Sequence, residues 1–311
     1  MKNVSVVSAS KFELEKVPAG KHIVDLLIEE RAPTLVASRA WPLWKAVLYP
    51  LLKEPLAKKM ADALVGLPGL EAMELVSRQL DLNITVEGLQ HVPTEGKVLI
   101  ASTHPTGIAD GLAMYDALKD HRPDMTFFAN RDALRVSERF EEVLIPVEWR
   151  EDRRTRARSR ETLVASRAAF DGGRCVVLFP SGRLAYMDDN KVLTEQEWMN
   201  SIAILARKYD CRVVPANIKS RNSWLYYWFR NIGPELRDIT LFNELLNKRG
   251  KKFDITFGAP IEPDDLKGDP QEVTDALRAH ALENVTAGRP WVPLESPDEV
   301  VPAEASVPSD V

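Results

Sequence analysis

Val98-Leu99-Ile100-Ala101-Ser102-Thr103-His104-Pro105-Thr106-Gly107-Ile108-Ala109-Asp110-Gly111-Leu112 decides the fold. A short apolar run ends in Ser102, Thr103 and His104. A turn of small residues follows (Pro105, Thr106, Gly107), and a helical pattern opens beyond Asp110. Strand, tight turn and helix start, with an imidazole and a carboxylate at the junction, mark the place where an open α/β sheet keeps its chemistry. A histidine beside an aspartate can draw a proton from a hydroxyl while the carboxylate orients the ring and offsets the new charge. Taken alone the pair has a plainer reading, with Asp110 as a helix N-cap and His104 as a hydrogen-bonded strand end. Its rank rises through what lies elsewhere in the chain.

Outward from this stretch, short β-rich runs alternate with helical patterns. Candidate strands are Leu82–Glu87, Lys97–Ser102, Met125–Ala129, Val143–Val147, Arg174–Phe179, Arg212–Ile218 and Phe253–Phe257. Candidate helices are Leu112–Lys119, Ala133–Phe140, Thr155–Phe170, Glu195–Lys208, Ile239–Lys248 and Pro270–Val285. This predicts an α/β fold: a mixed, mostly parallel central sheet of about seven strands, flanked by helices on both faces. Before it, Lys21–Glu30 and Leu70–Leu80 read as helices, and Trp41–Val65 is helical in period but kinked or broken at Pro42, Pro50 and Pro55. Three regions follow: an N-terminal helical layer (1–81), an α/β domain (82–291) and an acidic tail (292–311). Met1–Gly20 has no clear period and is expected to be poorly ordered. Pro293–Val311, with four prolines, five acids and few large apolar residues, is expected to be disordered.

The composition, 45% hydrophobic and 28% charged, is that of a soluble globular protein with ample material for a core. The formal charge of −5 resides in the tail, whose acids (Glu295, Asp298, Glu299, Glu304, Asp310) meet no base, so residues 1–291 carry no net charge. That balance argues against a nucleic-acid binder. Cys175 and Cys211 sit in apolar runs and read as buried free thiols of a reducing compartment, and their count and spacing exclude a metal site. The five histidines (His22, His91, His104, His121, His280) are scattered without ligand spacing. The N-terminus lacks a signal-peptide core, and no uncharged apolar run approaches the ~20 residues needed to span a bilayer.

Four strand-end segments carry the chemistry: His104–Asp110; Phe127-Phe128-Ala129-Asn130-Arg131; Val176-Val177-Leu178-Phe179-Pro180-Ser181-Gly182-Arg183; and Val213-Val214-Pro215-Ala216-Asn217-Ile218. In this order and spacing they resemble the four blocks of the glycerophospholipid acyltransferase superfamily, which acylates glycerol-3-phosphate or lysophospholipids. The approach Val86-Glu87-Gly88-Leu89, Val92-Pro93 and Gly96-Lys97 also looks like that family's, so the resemblance spans roughly Leu82–Ile218. Two departures stand out. Five residues separate His104 from Asp110 where the family has four, which resembles its hemolysin-related branch, thought to acylate lysophospholipids or other lipid acceptors. The third block usually reads Phe-Pro-Glu-Gly-Thr-Arg; here Ser181 replaces the acid and Arg183 comes one place early. Both departures point away from glycerol-3-phosphate as the acceptor.

The resemblance implies an O-acyltransferase of the 1-acylglycerol-3-phosphate acyltransferase type in phospholipid biosynthesis, with His104 as general base and Asp110 as its orienting carboxylate. It needs no cofactor: acyl-CoA or an acyl carrier protein thioester is the co-substrate. The absence of a Gly-x-Ser-x-Gly elbow fits direct transfer without a covalent intermediate. Ser181, Gly182 and Arg183 are candidate substrate contacts, with the Gly182 amide as an oxyanion donor. Arg131 and Arg183 are candidate phosphate contacts, since guanidinium binds phosphate bidentately. The expected partners are a lipid acceptor and the cytoplasmic face of the cell membrane, with an acyl carrier protein as the alternative donor and no nucleic acid.

Two surfaces bear on that expectation. Trp41, Trp44 and Tyr49 beside Lys45, Lys53, Lys58 and Lys59 suit an anionic membrane interface, or a helical layer packed on the body. Trp224-Leu225-Tyr226-Tyr227-Trp228-Phe229, flanked by Lys219, Arg221 and Arg230, is a second membrane-dipping candidate; on one helix such residues cannot all face inward. The six arginines of Arg150–Arg160 are a solvated face or a site for an anionic partner. Three functional readings remain: an acyltransferase acting on lysophospholipid-type acceptors, an acyltransferase for a non-glycerol lipid such as an amino-acid lipid, and an inactive peripheral lipid-binding protein.

Overall fold

The computed structural model describes residues 12, 14, 15 and 17–294. The tail expected to be disordered lies from Glu295 onward outside the described residues, as does the chain before Phe12.

Five helices come first: α1 (Ile23–Arg31), α2 (Pro33–Ala37), α3 (Trp41–Leu51), α4 (Glu54–Leu64) and α5 (Gly69–Leu80). The Trp41–Val65 pattern breaks between α3 and α4, where Lys53 takes a left-handed conformation. Pro42 and Pro55 fall in the first turns of the two helices, where a missing N–H costs nothing. The α/β region then runs β1 (Asn83–Glu87), β2 (Val98–Ser102), α6 (Ile108–Leu118), β3 (Thr126–Asn130), α7 (Asp132–Val136), β4 (Leu144–Val147), α8 (Arg156–Asp171) and β5 (Cys175–Leu178). It continues through a hairpin of β6 (Tyr186–Met187) and β7 (Leu193–Thr194), then α9 (Ser201–Tyr209), β8 (Arg212–Lys219), α10 (Trp224–Ile232), α11 (Pro234–Asp238), α12 (Leu241–Leu246), β9 (Lys252–Phe257) and α13 (Pro270–Ala279).

The seven expected strands form one sheet in the order β1-β9-β8-β2-β5-β3-β4. Every pair is parallel except β8 with β9, so the sheet is mixed and mostly parallel as expected. β2 shows why its sequence is continuously apolar. Val98 and Ile100 pack into the core beneath α4, α5 and α6, whereas Leu99 and Ala101 face the opposite core with Phe170, Trp198 and Leu277. A strand covered on both faces has no polar side to display. Because β2, β3, β5 and β8 run in one direction, His104, Arg131, Pro180 and Ser220 emerge at the same end of the sheet. Cys175 and Cys211 are buried free thiols, and burial pushes each up to about 12.

Three local expectations are corrected. α6 starts at Ile108 rather than Leu112, because Gly107 (φ 94°) opens it and Asp110 reaches back to the amides of the turn. The Ala133–Phe140 helix stops at Val136 and resumes as a 3₁₀ turn after extended Ser137. The helix expected from Glu195 begins only at Ser201, because Glu195 and Trp198 are bonded to each other and to the chain near the sheet.

The Glu87-Gly88 step of the sequence pattern also finds its reason. Gly88 has φ 72°, and a Cβ there would meet the carbonyl oxygen of Phe257 on the neighbouring strand at 2.1 Å. Gly88→Ala is therefore expected to cost more than ~1 kcal/mol in urea unfolding, and more than Gly96→Ala, which shares the positive φ (78°) but has open space around it.

Candidate active site

Thr103 leaves β2 still bound to β8: its N–H donates to Ala216 O (3.2 Å) and its hydroxyl accepts from Ile218 N–H (2.8 Å). His104 follows at once, and the chain turns through Pro105-Thr106-Gly107 into α6. Asp110, in the first turn of that helix, is fully buried. One of its oxygens accepts from the amides of Thr106 (2.7 Å) and Gly107 (2.9 Å), and the other from the Thr106 hydroxyl (2.5 Å). Three donors thus satisfy the buried carboxyl group at the helix N-terminus.

His104 Nδ1 lies 3.0 Å from Asp110 Oδ2. The contact is close, although its angle falls short of a well-aligned hydrogen bond; before substrate arrives, catalytic pairs are often loose in this way. The imidazole stacks on Phe179, centroid to centroid 4.3 Å at 24°, and about 15% of its side-chain surface is open. With Nδ1 turned to the carboxylate, Nε2 is the nitrogen that carries the lone pair. The arrangement can take a proton at Nε2 and share the resulting charge with Asp110.

Not all the expected contacts meet there. Ser181 is buried beside the catalytic turn and its hydroxyl donates to Arg183 O (2.8 Å). The Gly182 amide, expected to be an oxyanion donor, instead donates to Phe179 O (3.0 Å) within its own turn, so that expectation is corrected. Arg183 is exposed. Arg131 is buried two strands from β2, paired with Glu161 and lying over the Phe12 ring. The cavity it lines with Arg135, Arg153 and Arg158 holds about 10 Å³, room for one water and too small for a phosphate.

The arginine run is likewise engaged. Arg158 pairs with Glu15 and Glu148, Arg153 with Glu15 and Glu30, and Arg150 with Asp152. Arg150, Arg153 and Arg154 precede α8, and Arg156, Arg158 and Arg160 lie in its first turns.

Sequence reasoning missed three residues. Phe179, within the third block, supplies the stacking face for the histidine. Glu195, buried, accepts from the His104 amide (3.1 Å) and from Trp198 Nε1 (3.1 Å), and burial pushes its carboxyl above the usual range. Lys248 is buried near Asp110, and its ammonium donates to Asn222 Oδ1 (2.9 Å) and Glu244 Oε2 (3.1 Å). Burial pushes Lys248 down, with Glu244 and then Asp110 opposing the shift. Apart from the block's own Phe179, these residues come from segments distant in sequence, where no local spacing marks them.

Two substitutions test the turn. Asp110→Ala leaves the Thr106 and Gly107 amides without their acceptor, and should cost at least ~2 kcal/mol in urea unfolding. Gly107→Ala should cost ~1–3 kcal/mol, because the φ is foreign to L-residues and the new Cβ would press on Leu184 at 3.0 Å.

Residues 83–219 match the family model described as Acyltransferase. The lyso-glycine lipid O-acyltransferase of Bacteroides thetaiotaomicron is 26% identical over 199 residues, covering 62% of this chain and 71% of that protein. The protein of the same description from Phocaeicola vulgatus is also 26% identical over 199 residues, covering 62% and 69%. Among solved structures, the 1-acyl-sn-glycerophosphate acyltransferase PlsC of Thermotoga maritima aligns at 15% identity with a TM-score of 0.44, over 84% of this chain and 95% of the other.

Proposed function

We propose that residues 83–219, which match the Acyltransferase family model, form a domain of the glycerophospholipid acyltransferase superfamily, and that the chain moves a fatty acyl group from a thioester to the hydroxyl of a lysolipid at a membrane surface. The observation that carries the reading is the His104–Asp110 contact at the mouth of β2. His104 Nε2 takes the acceptor's hydroxyl proton as its oxygen attacks the thioester carbonyl carbon. The tetrahedral oxyanion collapses, the C–S bond breaks, and the thiolate of CoA or acyl carrier protein leaves with the proton from the imidazolium. Asp110 holds the ring and offsets its transient charge. Positioned base catalysis accounts for ~10²–10⁴-fold; alignment of the two substrates supplies much of the remainder.

Among acceptors, a lysolipid bearing an amino-acid headgroup is favoured over a lysophospholipid by a specific pair of observations. Both curated relatives are described as lyso-glycine lipid O-acyltransferases, and of the two candidate phosphate contacts Arg131 is committed to an internal ion pair, which leaves the exposed Arg183 as the other.

Two apolar stripes support a peripheral membrane location. On α3, Leu43, Val47 and Leu51 are exposed at intervals of four residues, with Trp44 beside them. On α10, Trp224 (73% exposed), Trp228 (49%) and Ile232 form the same kind of stripe, while Tyr226 and Phe229 turn into the core. Lys53, Lys59, Lys219 and Arg221 are exposed beside them. Tryptophan with a basic flank is the composition of an anionic bilayer interface. Among the described residues no helix is long and apolar enough to cross a membrane.

The test is transfer from labelled acyl-CoA or acyl carrier protein to a panel of lysophospholipids and lyso-amino-acid lipids. Wild type should acylate an amino-acid lysolipid, and His104→Ala should lose ~10²–10⁴-fold in rate while still binding vesicles. Undiminished transfer by His104→Ala would refute the base assignment, and binding without transfer by wild type would favour the inactive lipid binder. Trp224→Ser with Trp228→Ser should weaken sedimentation with anionic vesicles and leave the fold intact; unchanged sedimentation removes α10 from the membrane contact.

A further inference from the structure

Both main-chain groups of His104 are held by one segment that follows β5. Ala185 N–H donates to the His104 carbonyl (3.0 Å), and the Glu195 carboxylate accepts from the His104 N–H (3.1 Å). Between these two contacts the chain makes the β6–β7 hairpin, so the hairpin is rooted on the histidine. The root is pinned from behind, where Arg278 of α13 donates to the carbonyls of Glu195 (2.5 Å) and Gln196 (2.7 Å).

Glu195 is 6% exposed, and its second oxygen accepts from Trp198, which is itself buried. A carboxylate removed from water is destabilising unless donors surround it. Here the donors are a tryptophan N–H and the amide of the histidine, with the Ser181 hydroxyl facing the same carboxyl. Ser181 occupies the position at which the third block of the superfamily carries its acid. A buried Gln could satisfy only one of the two N–H groups, since its amide offers one oxygen and the two donors bind different oxygens.

We propose that Glu195 is a positioning residue for His104: its carboxylate, delivered from beyond the hairpin, fixes the peptide that presents the imidazole and supplies the buried acid that Phe179-Pro180-Ser181-Gly182-Arg183 lacks. The inference rests on the acyl-transfer reading for its kinetic consequence, but its geometric content stands apart from it. A carboxylate bound to the His104 amide limits how far the ring can swing from Asp110, so its loss degrades alignment in the reacting complex rather than thioester binding.

The experiment uses the full chain with Glu195→Ala, Glu195→Gln and Trp198→Phe, and two readouts. Amide hydrogen exchange at His104, read by NMR, should speed up ~10-fold or more in Glu195→Ala while the amides of β2 and β5 keep their protection; Trp198→Phe should leave the His104 amide slow. In turnover of a labelled acyl thioester with an accepted lysolipid, kcat should fall ~10²-fold in Glu195→Ala, less in Glu195→Gln, with KM for the thioester unchanged. Glu195→Gln keeps the test open if the alanine variant fails to fold. An unchanged His104 exchange rate, or a rise in KM at constant kcat, overturns the proposal. Wild type that transfers nothing overturns the acyl-transfer reading instead, and the exchange data then decide the clamp by themselves.

Discussion

The site depends on one buried carboxyl group. Asp110 has no access to water, yet it sits where three donors and the first turn of α6 converge. That convergence requires the tight Pro105-Thr106-Gly107 turn, which requires a residue without Cβ at φ 94°, which in turn requires β2 to end where it does. The carboxyl group is therefore both a structural element of the helix start and the neighbour of the histidine. Fixing it fixes the imidazole, so fold and chemistry share one constraint at this point.

The sheet was legible because its strands are buried on both faces. Runs such as Val98–Ala101 and Val176–Leu178 have no polar periodicity to confuse with a helix, and they are too short and too bounded by turn residues to be one. The break between α3 and α4 was legible from its prolines. The His104–Asp110 juxtaposition was legible because turn and helix start lie within a few residues, where chain stiffness dictates distance. Other features depend on contacts between distant segments. Glu195 looked like an acid in the first turn of a helix, yet its side chain is committed to a peptide ninety-one residues earlier, and that commitment keeps residues 195–200 out of the helix. Arg131 looked like a phosphate ligand at a strand end, but Glu161 on α8 reaches it first.

The arginine-rich segment makes the same point about charge. Six arginines in a row of eleven residues read as a solvated face or a site for an anionic partner; three of them, Arg150, Arg153 and Arg158, pair with carboxylates of the chain itself, while Arg156 and Arg160 are exposed. Glu15 and Glu30 arrive from the N-terminal region and Glu148 from the end of β4. Arg135, almost wholly buried, joins Glu30 and Asp132 to the same network. Pairs of this kind gain little where water reaches them and more where several charges interlock out of solvent. Their effect is to tie the N-terminal helical layer to the strand ends of β3 and β4.

That attachment bears on how a surface protein could serve a buried histidine. α10 presents Trp224 and Trp228 outward, and on the same helix Arg230 lies over the ring of Tyr186, 4.2 Å from its centroid. Tyr186 belongs to the hairpin whose two ends hold the His104 peptide. The helix of exposed tryptophans, the hairpin and the His104 peptide are thus linked by successive contacts. On the proposed reading, a lysolipid lying in the bilayer interface meets its acyl acceptor chemistry at the far end of that run, with no need to leave the membrane for the centre of the protein. On that reading, the excursion of chain between β5 and α9 links the histidine's peptide to the helix that carries the exposed tryptophans.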